Sequence, residues 1–127
     1  RQATMEDVAK IMKCAQGDED GWRTMSHSQR ARILRQAAHE IRIARGDLMG
    51  VAMADGGKTL LESDPEVSEA VDFVEFYTQT AGYFHHGDGV KARGQGVVVV
   101  VSPWIFPIAI PCGGVAAALA AGNTVIL

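Results

Sequence analysis

Charge is missing from the C-terminal part of this chain: no charged residue follows Arg93. Cysteine and proline are scarce, at two and four residues, and aromatics make up 6%. Cys14 and Cys112 lie too far apart for a disulfide framework or a metal-binding spacing, and they read as reduced thiols of a cytoplasmic protein. Arg1 to Asp7 contain no apolar signal core, so secretion is not indicated. The uncharged stretch is long enough to raise the question of a membrane span. Pro103, Pro107 and Pro111 recur every fourth position and Gly113-Gly114 follows, so no continuous spanning helix forms, and no integral membrane segment is expected. A parallel-sheet core is the alternative.

The chain has 127 residues, 47% hydrophobic and 21% charged, with a net charge of -3. Such a composition suits one soluble globular domain or part of a larger one, and gives no electrostatic reason to expect a nucleic-acid partner. The first residue is not Met and Val125-Ile126-Leu127 reads as a strand with no turn after it, so a fragment of a longer polypeptide is expected.

Helix signals fill the first two-thirds of the chain. Thr4 with Asp7 forms a capping pair, and Val8, Ile11, Met12 and Ala15 mark an apolar face that ends at Gly17. A second helix starts near Ser26 with Gln29 placed for a capping box, and Ile33, Leu34, Ala37, Ala38 and Ile41 follow at helical spacing. Leu48 to Ala54 continues helical after Gly46-Asp47, and Asp55-Gly56-Gly57 stops it. Asp64-Pro65 reads as an N-cap with proline at the first helical position, opening a helix with Val67, Val71, Val74 and Ala81 on one side. The segment Val90 to Arg93 is expected to be an edge strand.

Val97 to Val101 is a β-branched run without polar alternation, as in a parallel strand covered on both faces. Ile108 to Ala121 supplies a crossover helix, Gly122-Asn123 its C-cap, and Thr124 to Leu127 a returning strand. The predicted fold is therefore α/β, with N-terminal helices over 1–93 leading into a Rossmann-type βαβ unit over 94–127. Two strands cannot bury both faces alone, so further strands are expected.

Several motifs carry little chemistry. Gly57-Lys58-Thr59 ends like a phosphate-binding loop, but Ala52 stands where the first glycine is needed and no buried strand precedes it. Gly87-x-Gly89-x-x-Ala92 lies before the valine strand rather than in the turn after it, so it reads as a loop. His85-His86 point in different directions on a helix, and no metal is expected. Cys112 stands near a helix N-terminus, which favours a thiolate, but no base lies in its block; a packed, inert thiol is expected. Arg30, Arg32, Arg35, Arg42 and Arg45 oppose Glu62, Asp64, Glu66, Glu69, Asp72 and Glu75; a solvated surface is expected, with pairing between the helices or across an oligomer interface as the alternative. An open α/β sheet binds ligands at the carboxyl ends of its strands, where Ser102, Pro103 and Trp104 stand. The indole would offer a rigid wall to a flat cofactor, or it packs structurally.

Ser102-Pro103-Trp104-Ile105-Phe106-Pro107 and Ala118-Leu119-Ala120-Ala121-Gly122-Asn123-Thr124-Val125, at their observed separation, resemble two motifs of the aldehyde dehydrogenase superfamily. Arg30 to Leu34, Gly57 to Thr59 and Glu66 to Phe73 are similar to the same enzymes, most of all to the pyrroline-5-carboxylate (glutamate semialdehyde) dehydrogenase module of bifunctional proline-utilisation proteins. The resemblance runs from about Trp22 to Leu127.

It implies NAD-dependent oxidation of an aldehyde to an acid, here L-glutamate 5-semialdehyde to glutamate, by a homo-oligomeric parent. The family's catalytic cysteine and glutamate follow later in the chain, so no catalytic residue is placed and the segment alone is expected to be inactive. Ser102, Pro103 and Trp104 match positions that line the family's cofactor cleft. Ile105 stands where the family has an asparagine that donates to the oxyanion. Loss of one such donor costs about 10²–10³ in turnover. A second reading is therefore a non-catalytic homologue serving as an assembly or interaction module, and a third is a helical binding protein that uses its acidic helix.

Overall fold

The computed structural model describes residues 2–89 and 91–127. In chain order these form α1 (Met5–Gly17), a short 3-10 turn (Trp22–Thr24), α2 (His27–Ile43), α3 (Arg45–Gly56), α4 (Leu60–His86), β1 (Val97–Val99), α5 (Ala109–Ala120) and β2 (Thr124–Ile126). β1 and β2 pair in parallel, Val97 with Thr124, Val98 with Val125 and Val99 with Ile126, and α5 is the crossover between them. This is the expected α/β architecture. Among the described residues no helix is long and apolar enough to cross a membrane.

Local signals set most helix starts. Thr4 and Ser26 each close a capping box, with Asp7 and Gln29 as the reciprocal partners. α4 departs from expectation. It starts at Leu60 rather than at Asp64-Pro65, because the amide and hydroxyl of Thr59 both donate to Glu62 at 2.8 Å. Pro65 then lies inside the helix. Asp64 is used instead as the partner of Arg45, which also donates to Ser68 at 2.8 Å. α3 likewise starts earlier than expected, taking Gly46 and Asp47 into the helix, and ends where Gly57 turns left-handed at φ 66°.

The strands are shorter than the valine run suggested. Val99 and Val101 are exposed in this two-stranded sheet, and Val100 closes the ladder by donating to Ile126 O at 2.8 Å. The expected edge strand is not formed at 91–93, which have no regular structure, while Val90 lies outside the described residues. α1 buries none of its residues fully: on its predicted apolar face Met12 and Ala15 are half-buried, while Val8 and Ile11 are exposed.

One core joins the helices to the βαβ unit. Trp22, Leu34, Ala38, Val71 and Val74 pack with Ala116 and Ala120 of α5. Small residues let α5 come close: a Cβ at Gly113 would stand 2.8 Å from Phe73. Burial of each valine or leucine here contributes roughly 1.5–3 kcal/mol. Trp22 adds a polar tie across the core, its indole Nε1 donating to Leu119 O at 3.1 Å. Asn123 closes the C-terminal side, its Oδ1 accepting from Gln95 N at 2.6 Å and Gly96 N at 3.0 Å while Nδ2 donates to Ala118 O at 3.0 Å. The chain entering β1 is thereby fixed to the end of α5.

Candidate functional site

After Val100 leaves the ladder, the chain turns through Ser102 to Ile108 before α5 begins. Pro103 and Pro107 fix its direction, and the residues between them stand out from the body. Trp104 is 79% exposed, with Ile105 and Phe106 also exposed and Ser102 half-buried. A large indole held in water at the carboxyl end of a parallel strand is where this fold class places ligands.

The base of the turn is held from α4. α5 has no cap of its own, because Ile108 at the N-cap offers no acceptor and no acidic residue lies in the first turn. Glu66 supplies the acceptor from outside: its Oε1 receives Ile108 N at 2.8 Å and Ala109 N at 3.2 Å. Its other oxygen lies 2.6 Å from Lys58 Nζ, and that ammonium sits 4.4 Å from the centroid of the Phe106 ring. Glu66 is 2% exposed. Burial opposes its ionisation, but Lys58 and the two amides outweigh it and hold the carboxyl below its ordinary value. A negative group at a helix N-terminus also complements the helix dipole.

Of the acidic and basic runs, Arg32, Arg35, Glu62, Glu69 and Asp72 are exposed as expected of a solvated surface, and the others are not merely solvated. Arg42 pairs with Glu75 at 3.3 Å and Arg45 with Asp64, whereas Glu66 and Arg30 are buried. Arg30 donates to Met25 O and meets His85 Nε2 at 3.3 Å, and burial lowers its pKa. Glu66 and Lys58 were not singled out as site residues. A signal was present: Glu66 stands on the stripe Val67, Ala70, Val71 and Val74, which is otherwise apolar.

The residues expected to line a cofactor cleft do not share one hollow. Trp104 and Ile105 border a depression of about 390 Å3 with Gly57, Lys58 and Phe106. Trp104 also faces a hollow of about 500 Å3 against Leu48 and Val51 of α3. Ser102 lines a separate one of about 260 Å3 with Phe73, Tyr77 and Ile110. A larger hollow, about 750 Å3, lies away from the turn between α1, α2 and β2.

The remaining chemistry-bearing side chains are structural in their surroundings. The Cys112 thiol donates to Ala70 O at 3.6 Å, and burial pushes its pKa up, the reverse of an activated nucleophile. His27 faces His85 and His86 with ring centroids 5.5 and 6.3 Å apart. No group of three metal-ligating side chains converges among the described residues.

A parallel βαβ unit with its open turn at the strand end defines the opening part of a Rossmann-type fold. The chain belongs to the aldehyde dehydrogenase family, whose family model matches residues 1–127. It is similar to the bifunctional protein PutA of Salmonella typhimurium, 39% identical over 127 residues, which cover 99% of this chain and 9% of that protein. It is also similar to the 1-pyrroline-5-carboxylate dehydrogenase of Bacillus subtilis, 33% identical over 135 residues, covering 98% of this chain and 26% of that enzyme. A crystal structure of 1-pyrroline-5-carboxylate dehydrogenase from Thermus with bound NAD superposes with a TM-score of 0.89 at 27% identity, covering 98% of this chain and 26% of that one. The chain thus spans about a tenth to a quarter of the length of these relatives.

Proposed function

We propose that this chain is part of an NAD-dependent aldehyde dehydrogenase that oxidises L-glutamate 5-semialdehyde, the open form of pyrroline-5-carboxylate, to glutamate in the cytoplasm. Residues 94–127 would open its NAD-binding domain, and 1–93 its helical lead-in. The observation that carries the reading is the turn after β1, whose indole is 79% exposed at the strand's carboxyl end. The likeness to 1-pyrroline-5-carboxylate dehydrogenases supports the substrate, and the Thermus relative with bound NAD supports the cofactor.

Although these residues do not line one hollow, the turn they form would serve as part of such a site. Trp104 offers a flat apolar surface, and Ser102 a hydroxyl on the neighbouring hollow. When bound, NAD would supply the hydride acceptor for the oxidation of the aldehyde. Trp104 and Pro103 would orient it and exclude water from that face. Ile105 offers no side-chain donor to the oxyanion formed on the aldehyde, so turnover in the parent would be lower by about 10²–10³ than with an amide there. A second reading rests on the same residue: a homologue without catalysis that serves as an assembly module.

The test is NADH formation by the complete polypeptide given pyrroline-5-carboxylate, repeated with Ile105→Asn. Activity that rises about a hundredfold in the variant with cofactor affinity unchanged supports the enzyme. No activity in either form supports the module.

A further inference from the structure

We infer that Glu66 is a positioning residue for the cofactor cleft: its carboxylate sets where the turn Ser102–Phe106 stands relative to the core. The inference rests on the cofactor-binding reading of that turn. Ala109 is fully buried, so its amide has no water to turn to and needs a protein acceptor. Glu66 provides it and takes the Ile108 amide as well. Through Lys58, 2.6 Å from its second oxygen, the same carboxylate reaches Phe106 at the other side of Pro107. One group therefore holds both the start of α5 and the last aromatic of the turn. Trp104 and Ile105 are left as the free, outward-facing part.

The reference point is rigid. Glu66 is followed on α4 by Val67, Ala70, Val71 and Val74, all buried, so its backbone is fixed by the core. A charged acceptor on two amides is stronger than a neutral one, and an unmet buried amide is costly to leave. Without the acceptor the start of α5 must turn its first amides toward water, and the turn moves with it.

Removing Glu66 alone would strand the ammonium of Lys58, so the decisive comparison is made between two double variants of the complete polypeptide. Lys58→Met/Glu66→Gln loses both charges but keeps a carbonyl facing the amides, whereas Lys58→Met/Glu66→Ala loses the acceptor too. NAD affinity, read by titration of protein fluorescence, is expected to be about tenfold weaker in the alanine form than in the glutamine form. The KM for the aldehyde is expected to agree within about twofold. Amide exchange at Ile108 and Ala109 should be at least about tenfold faster in the alanine form. Equal NAD affinity in the two forms, or an aldehyde KM that moves in step, overturns the inference while leaving the functional reading intact. Absence of NAD binding in the unmodified polypeptide overturns both. If the double variants do not fold, Glu66→Gln against Glu66→Ala with Lys58 in place reads the same difference.

Discussion

The guanidinium of Arg30 packs tightly against Gly122, where the chain turns from α5 toward β2. A Cβ there would stand 3.2 Å from Arg30 Cζ, and Gly122 turns the chain with φ 86°, a conformation that side chains disfavour. Gly122→Ala therefore meets backbone strain and a tight contact together, and an expected loss of about 1–3 kcal/mol follows. Urea unfolding of the chain measures it; a loss under about 0.5 kcal/mol would contradict the contact.

Trp22 tests the join between the helices and the βαβ unit. Trp22→Phe keeps an aromatic in the core but leaves Leu119 O without its indole donor. A cost of about 1–3 kcal/mol is expected from the lost hydrogen bond and the space vacated. Thermal or urea denaturation reads it, and a neutral result would place the join elsewhere.

Acid should loosen the clamp at α5. The carboxyl of Glu66 sits below its ordinary value in the fold, against burial, through Lys58 and two amides. Its stabilising contribution is full above the unfolded value of about 4.3 and is lost as pH falls through the lower folded value. The difference in urea midpoint between the unmodified chain and Glu66→Gln should shrink as pH drops from 6 toward 3. A difference that stays constant would show that this carboxyl does not titrate with unfolding.

His27 behaves in the opposite direction from a histidine gaining a carboxylate. Burial and then the nearby His85, Arg30, His86 and Arg35 lower its pKa, so the fold prefers the neutral ring. Its contribution is present above the unfolded value of about 6.5 and declines as pH falls from there through the lowered folded value. An NMR titration should find the His27 ring below 6.5. A value at or above it would mean that the ring is better hydrated than its place beside α4 indicates.

Trp104→Ala separates binding from folding. The indole is 79% exposed, so stability should stay within about 0.5 kcal/mol of the unmodified chain. In the complete polypeptide NAD affinity should drop about tenfold, read by isothermal titration. Unchanged affinity would remove the indole from the cofactor cleft.

What could be read in advance follows distance along the chain. Thr4 with Asp7 and Ser26 with Gln29 are pairs three residues apart, and both caps form as expected. At α4 two local signals compete, Thr59 with Glu62 and Asp64 with Pro65. The first forms, Thr59 closing on Glu62, and Asp64 pairs instead with Arg45, nineteen residues before it. Glu66 and Arg30 resemble surface charges in any short window, since their partners Ile108 and His85 lie 42 and 55 residues away. The turn at Ser102 to Trp104 was legible because a valine run, a turn and a small-residue helix imply a strand end. The clamp beneath it was not, because charge on a helix is ordinarily solvated.

Pro65 gives α4 a joint. Lacking an amide, it cannot donate to the carbonyl of Leu61, so resistance to bending is lowest over that turn. Lys58 lies on one side of the joint and Glu66 on the other, and their contact at 2.6 Å is a brace across it. The brace ties the first turn of α4 to the start of α5 and to Phe106. Loss of the brace, by acid or by a variant, would leave the first turn of α4 joined to the rest of the helix only through Pro65, with Phe106 released from its ammonium.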